Sequence, residues 1–157
     1  AEDEAGLRLL IVGERMFRDA RLERAYAAMR HKDRVFFAGR LGQQDLRLAL
    51  GAALALVYAS WFEGFGIPVA EAMRSGVPVI AANASSLPEV AGDAAAYCDP
   101  FNVDDMARAI RLVVMDATLR TRLISAGLER AQRYTWERTA QGLWASFERM
   151  CQHAGVR

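Results

Sequence analysis

Glu63 and Glu71 stand eight residues apart in the stretch WFEGFGIPVAEAMRSGVPVI, with Gly64, Phe65, Gly66, Ile67 and Pro68 between them. Each of these residue types has a chemical use. The glycines let the backbone come close to a ligand. Pro68 suits the first turn of a helix, so the peptide N–H groups of 65–69 lie near a helix N-terminus, a place that favours anions such as phosphate. A carboxylate beside a phosphate repels it unless the carboxylate faces a part of the ligand rich in hydroxyl donors. Glu63 before the turn and Glu71 about one helical turn beyond Pro68 therefore suit a ligand with hydroxyls at both ends and phosphate in the middle. A nucleotide-sugar (sugar, diphosphate, ribose) has that layout. The same residues also read as ordinary acids at a helix start, complementing its dipole, with the glycines in a plain loop.

Stepping outward, LALVYAS (54–60) precedes this turn as a strand, and the helix from Pro68 runs to about Ser75 and ends at Gly76. LRLLIVG (7–13) is a nearly continuous apolar run, the mark of a strand buried on both faces. Leu22, Tyr26 and Met29 recur at helical spacing in 19–33, RVFFAG (34–39) is a second strand, and QQDLRLALGAA is a helix. PVIAA (78–82) is a fourth strand and AAYCD (95–99) a fifth. Three helices close the chain: one capped by Asn102 with Asp105 in capping-box position, one over roughly 117–133, and one from about Thr135 with Trp136, Ala140, Leu143, Trp144, Phe147 and Met150 on one face. Strand and helix alternate over 7–100. That predicts an α/β fold, a Rossmann-like parallel sheet of about five strands with helices on both faces. Parallel open sheets bind ligands beyond the carboxyl ends of their strands, and 59–67 is such an end.

The 157 residues suffice for one domain with a core; 25% are charged and 53% hydrophobic, as in soluble globular proteins. A net charge of +1 gives no reason to expect nucleic acid as a partner. Cys98 and Cys151 form neither a disulfide framework nor a metal-binding pattern, which suits a reducing compartment. No apolar run reaches membrane-spanning length, and no signal peptide is visible. The chain begins at Ala1, which reads as a processed or excised piece.

EGFGIPVAEAMRSGVPVIAANASSLPEVAGDAAAYCDP resembles the donor-binding half of the retaining glycosyltransferases of family 4, the group 1 transferases, which have the two-domain GT-B architecture. Their mark is a glutamate, seven residues, and a second glutamate, matched by Glu63 and Glu71. The blocks EGFG, EAM, SGVPVI, SSLPEV, GDAA and DP match in order, and the similarity covers roughly 7–150. The resemblance implies that Glu63 contacts hydroxyls of the transferred sugar, as the candidate catalytic residue. It implies that the amides around Gly64, Phe65, Gly66 and Ile67 face sugar and diphosphate, and that Glu71 accepts hydrogen bonds from the ribose. The loop Ala38–Gly39–Arg40 would border the nucleobase. Ser60 matches the family's serine, although Ala59 replaces the proline that usually precedes it. Retention in the family is thought to proceed without a protein nucleophile: the leaving diphosphate helps take the acceptor's proton, and the protein orients and stabilises charge. No cofactor and no metal are implied. A double displacement with Glu63 as nucleophile is the minority route.

The resemblance also implies absences: an N-terminal acceptor domain, and the first strand of the donor domain with the arginine and lysine that neutralise the diphosphate. The implied strand order is 2-1-gap-3-4-5. The gap would be closed by direct pairing of strands 1 and 3, by another chain, or left open, the first two being favoured. Residues 1–6 read as a linker, 7–134 as the nucleotide-sugar-binding domain and 135–157 as a C-terminal helix and tail whose Trp144, Phe147 and Met150 leave an apolar patch suited to self-association. Arg15 and Arg18 read as phosphate contacts or as solvated charges, His31 and His153 as surface residues, and Cys98 as buried and inert. Trp61 and Phe62 either wall the sugar pocket or pack under the loop. Ser85 and Ser86 read as helix caps before LPEV, and Glu89 as at most an indirect contact.

The function so implied is that of the donor-binding domain of a retaining hexosyltransferase. It would move sugar from a UDP- or GDP-linked donor to a glycan or lipid-linked acceptor in cell-envelope polysaccharide synthesis. Such an enzyme would be cytoplasmic, at the membrane's inner face through its missing domain, and this chain alone would be inactive. The rival readings are a non-catalytic nucleotide-binding or assembly module that needs a partner chain, and a GT-B sugar-nucleotide epimerase or phosphorylase.

Overall fold

The computed structural model describes residues 6–14 and 19–153; Arg15 and Arg18 lie outside them. The chain divides into two compact units, Ala1–Leu48 and Ala49–Arg157. In the first, β1 (Leu9–Val12) pairs in parallel with β2 (Val35–Gly39), with Leu9 opposite Val35 and a register shift at Ile11/Val12. The helix α1 (Ala20–Ala28) is capped by Asp19, whose carboxylate accepts the Arg21 N–H at 2.8 Å. Tyr26 of α1 meets Phe37 of β2 edge-on at 5.4 Å. α1 stops short of the expected residue 33 because Met29 turns to extended backbone and Lys32–Arg34 forms a separate 3-10 turn. No described residue of this unit is fully buried. The helix α2 (Gln43–Gly51) runs through the division.

The second unit holds a parallel sheet in the order β3 (Leu56–Tyr58), β4 (Val79–Ala82), β5 (Ala95–Cys98). Its helices are α3 (Ile67–Arg74), α4 (Leu87–Ala91), α5 (Val103–Met115), α6 (Ala117–Ala131) and α7 (Trp136–His153). All four residues of β4 are buried, and the two-residue period of a strand sends Val79, Ile80 and Ala81 alternately to two cores. Val79 and Ala81 join Val69, Ala72 and Met73 of α3 and Leu87, Val90 and Ala91 of α4. Ile80, on the opposite face, joins Cys98, Ala109 and Val113 of α5, and Leu123 of α6. A continuous apolar strand covered on both faces is what VIAA demands.

Local chemistry sets the helix ends. α3 closes in a Schellman motif: Gly76, at φ +67°, donates to Met73 O at 3.2 Å, and Val77 donates to Ala72 O at 2.9 Å. α6 approaches α3 closely at Gly127, where a Cβ would stand 3.2 Å from Met73 Cγ. Asn102 caps α5, accepting from Asp104 and Asp105 N–H at 3.0 and 3.1 Å. Asp105 does not close a capping box: its carboxylate accepts the Asp99 N–H at 2.8 Å and Arg108 Nε at 2.7 Å instead.

The α/β class, the five parallel strands and the helices on both faces agree with expectation. The described strands are grouped in two sheets, β1-β2 in the first unit and β3-β4-β5 in the second, and not in the single sheet expected. β3 is also shorter than the expected 54–60, because Leu54 and Ala55 still belong to the connection before it and Ala59 and Ser60 to the loop that follows it. Along α7, Trp136, Leu143, Trp144, Phe147 and Met150 are all exposed and no residue is buried, as the unpartnered stripe in its sequence implied. No helix among the described residues is long and apolar enough to cross a membrane.

Stability should therefore respond to β4 and not to α7. Ile80, 1% exposed, loses its contacts on replacement by alanine, and I80A should cost about 2–5 kcal/mol in urea unfolding. Leu143→Ala, at an exposed α7 position, should stay within about 0.5 kcal/mol of wild type. A comparable loss for both would show that α7 is packed in solution.

Candidate functional site

The loop between β3 and α3 carries the first glutamate, and its backbone is held by the loop that follows β4. The Glu63 N–H donates to Ser85 Oγ at 2.9 Å, and the Glu63 carbonyl accepts from Ser86 Oγ at 2.9 Å. Parallel pairing of β3 with β4, Tyr58 opposite Ala81, brings the two loops side by side. Ser85 has φ +49°, the one described non-glycine residue with positive φ, a conformation that costs a β-carbon residue energy and persists only where its surroundings impose it. Ser86 occupies the N-cap position of α4 but makes no side-chain cap bond. The expected capping role is thus replaced by the bond to Glu63.

The Glu63 carboxylate is half-buried, and its Oε1 accepts the Tyr58 hydroxyl at 2.6 Å. Burial, and after it the hydrogen bond to Glu63, pushes the Tyr58 phenol up to about 12. At neutral pH the phenol is therefore the donor. Among the described residues the Glu63 carboxylate has no other partner. Tyr58 went unnoticed in the sequence; its position as the last residue of the strand before the loop was the available signal.

Gly66 opens α3 in a left-handed conformation, φ +96°, and its carbonyl accepts the Val69 and Ala70 N–H groups at 2.9 and 3.3 Å. A Cβ at this position would lie 2.5 Å from Leu87 Cδ2, so conformation and space both require glycine. The N–H groups of Gly64, Phe65, Gly66 and Ile67 donate to no partner among the described residues. Glu71 lies four residues after Ile67 on the exposed side of α3, opposite the buried Val69, Ala72 and Met73. Its carboxylate too has no partner among the described residues. The second unit thus presents two carboxylates, neither paired with a base among the described residues, on either side of a run of N–H donors that no described acceptor uses, at a helix N-terminus. Such a run attracts anions, and such carboxylates accept hydroxyl protons.

The other candidate residues have these places. Ser60 donates to the Phe62 carbonyl at 3.2 Å and so braces the loop. Trp61 and Phe62 are 66% and 71% exposed and do not pack under it; the Trp61 ring lies 6.1 Å from Phe62 and 6.5 Å from Phe101. Phe65 meets Tyr134 edge-on at 5.2 Å. Glu89 is exposed, and it is its carbonyl, not its carboxylate, that accepts from Arg130. Gly39 and Arg40 belong to the first unit: Gly39, at φ +64°, accepts the Gly13 N–H at 2.8 Å, and Arg40 is exposed. Cys98 is buried, with its thiol pushed up chiefly by that burial. His31 and His153 are exposed, and His153 Nδ1 sits 2.8 Å from Arg149 O. Among the described residues no group of three or more His, Cys, Asp or Glu is placed to hold a metal.

A family model described as "Glycosyl transferases group 1" matches residues 1–130. The O-antigen chain mannosyltransferase B of Escherichia coli is 36% identical over 101 residues, which are 64% of this chain and 26% of that protein. The fold of sucrose-phosphate synthase from Thermosynechococcus elongatus superimposes with a TM-score of 0.81 at 27% identity, covering 93% of this chain and 39% of the synthase. Anabaena HepE in complex with UDP-glucose matches with a TM-score of 0.79 at 22% identity, over 90% of this chain and 40% of HepE. The chain thus spans between a quarter and two-fifths of the length of these three proteins.

Replacing Gly66 tests the geometry on which the site depends. Gly66→Ala should destabilise the chain by about 1–3 kcal/mol, from the strained φ together with the clash on Leu87. Adding Leu87→Ala should remove the clash but not the backbone strain. In thermal unfolding the pair should then lose less than the sum of the single losses; strict additivity would show that Gly66 and Leu87 do not touch.

Proposed function

Since the chain belongs to the group 1 glycosyl transferases, we propose that it holds the sugar donor of such an enzyme, a UDP- or GDP-linked hexose bound in the second unit. The observation that carries this reading is the run of N–H groups from Gly64 to Ile67, unpartnered among the described residues, with a carboxylate that no described base neutralises at either end. A bare anion site would exclude such carboxylates. A ligand with phosphates in its middle and hydroxyls at both ends accommodates them. Glu63 accepts from hydroxyls of the sugar, the amides of Gly64, Phe65, Gly66 and Ile67 face the sugar and diphosphate, and Glu71 accepts from the ribose. That the HepE structure, of the same fold, contains UDP-glucose agrees with this layout.

In this reading the glutamates position the donor and do not attack it. The carbon–oxygen bond to the diphosphate breaks, the leaving phosphate oxygen accepts the acceptor's proton, and the new bond forms on the same face, with retention. The protein contributes alignment and stabilisation of the charge that develops on the diphosphate. The acceptor, a glycan or a lipid-linked saccharide of the cell envelope, is held by protein beyond this chain, at or near a membrane surface. The chain by itself binds donor and does not transfer it. The O-antigen mannosyltransferase relative supports the choice of a hexose and of an envelope polysaccharide.

Calorimetry with UDP, GDP and their sugar conjugates tests the assignment. Glu71→Ala should weaken binding of nucleotide and nucleotide-sugar alike by about 1–3 kcal/mol, the cost of hydrogen bonds to a charged acceptor. Glu63→Ala should weaken only the sugar conjugate. An unchanged titration for E71A removes Glu71 from the ribose, and equal losses for both ligands in E63A remove Glu63 from the sugar.

A further inference from the structure

We propose that Tyr58 is a positioning residue for Glu63, holding one carboxylate oxygen so that the other is presented to the donor sugar. This rests on the reading of Glu63 as the sugar's ligand.

Three bonds fix residue 63, and each comes from a different direction. Ser85 takes its N–H, Ser86 serves its carbonyl, and Tyr58 donates to Oε1 at 2.6 Å. The two serine bonds place the backbone but leave the torsions of the glutamate side chain free. Among the described residues only the bond to Tyr58 constrains the carboxylate. The Tyr58 ring packs against the core formed by β4, α3 and α4, so the position of its hydroxyl is set by the sheet and not by the loop. A hydroxyl donating to a carboxylate at this distance is a charge-assisted bond, stronger than one between neutral groups.

The chemical type of the partner matters. An arginine or lysine there would neutralise Glu63. A phenol that stays protonated, as burial ensures for Tyr58, satisfies one oxygen and leaves the negative charge. The free oxygen is then an oriented acceptor whose ordering cost is met before the sugar arrives. Without that bond the same glutamate samples several rotamers, and the sugar must select one of them.

The test uses the whole chain and four proteins: wild type, Tyr58→Phe, Glu63→Ala and the double variant, titrated with UDP, GDP, UDP-glucose and GDP-mannose. Y58F keeps the ring and removes only the hydroxyl, and circular dichroism checks that it folds. Y58F should weaken the bound sugar conjugate by about three- to tenfold, in keeping with one lost hydrogen bond to a charged group, while leaving the bare nucleotide unchanged. In the E63A background the same change should have no further effect, since Tyr58 acts only through Glu63. A loss for bare nucleotide equal to that for the conjugate, or a Y58F effect that persists in E63A, would show that Tyr58 supports the loop at large and would overturn the proposal. A sugar-specific loss in E63A with none in Y58F overturns the proposal and leaves the reading of Glu63 standing. No sugar-specific loss in E63A, or no binding of either conjugate by wild type, overturns both.

Discussion

The two hydrogen bonds that tie the backbone of Glu63 to Ser85 and Ser86 are the constraint on which the rest of the site depends. β3 is a three-residue strand, and nothing helical follows it until Ile67. A loop of that kind has peptide groups with no ladder to join, and buried or half-buried peptide groups need partners. The serine hydroxyls supply them from the next loop, and Leu87 fills the space left by the missing side chain of Gly66. The glycine turn therefore takes its shape from across the sheet as well as from its own Gly66.

That shape is in turn inherited from α6. α4 has only five residues, too few to be stable alone, and its terminal carbonyls would be orphaned. Arg130 and Tyr134, from α6 and the turn after it, resolve this. Arg130 donates to the Glu89 and Val90 carbonyls, Tyr134 donates to Val90 O at 2.8 Å, and Tyr97 donates to Gly92 O at 2.6 Å. The Tyr134 ring then meets Phe65 of the glycine turn. So the helix that closes on α3 at Gly127 also sets where Ser85 and Ser86 stand, and through them where Glu63 stands. Fold and site share the same side chains here.

The parts that were legible in the sequence are those whose reasons are local. β4 was readable as a short apolar run, although the burial on both faces expected of LRLLIVG is met by β4 and not by β1, whose Leu9, Leu10 and Val12 are exposed; the end of α3 was readable because Gly76 marks a left-handed turn. Glu63 and Glu71 were readable because acids around a glycine turn contradict a plain phosphate site. The roles of Tyr58, Ser85 and Ser86 were not, because a hydroxyl shows its partner only when the loops after β3 and β4 are brought together, 22 residues apart in the chain for Ser85 and Glu63. Two serines ahead of LPEV are a cap by local rules, and the tertiary bond overrode that rule. The grouping of the strands into β1-β2 and β3-β4-β5 agrees with the gapped order that the family resemblance implied; the hydrophobic pattern of β1 or β3 alone does not encode a strand's neighbour.

The two acids reach their positions by opposite means. Glu71 stands on a helix whose other face is locked into the core by Val69, Ala72 and Met73, so its backbone needs no further support and its side chain is left to solvent. Glu63 stands on a loop and has its peptide groups and one carboxylate oxygen held by hydrogen bonds. An acceptor that only has to meet a mobile hydroxyl pair, as on a ribose, works from a flexible side chain on a rigid helix. An acceptor that has to keep a reacting ring in line needs its own orientation fixed beforehand. The difference in how the chain supports its two glutamates thus matches the difference in the work proposed for them, with the more ordered carboxylate at the proposed sugar end of the donor.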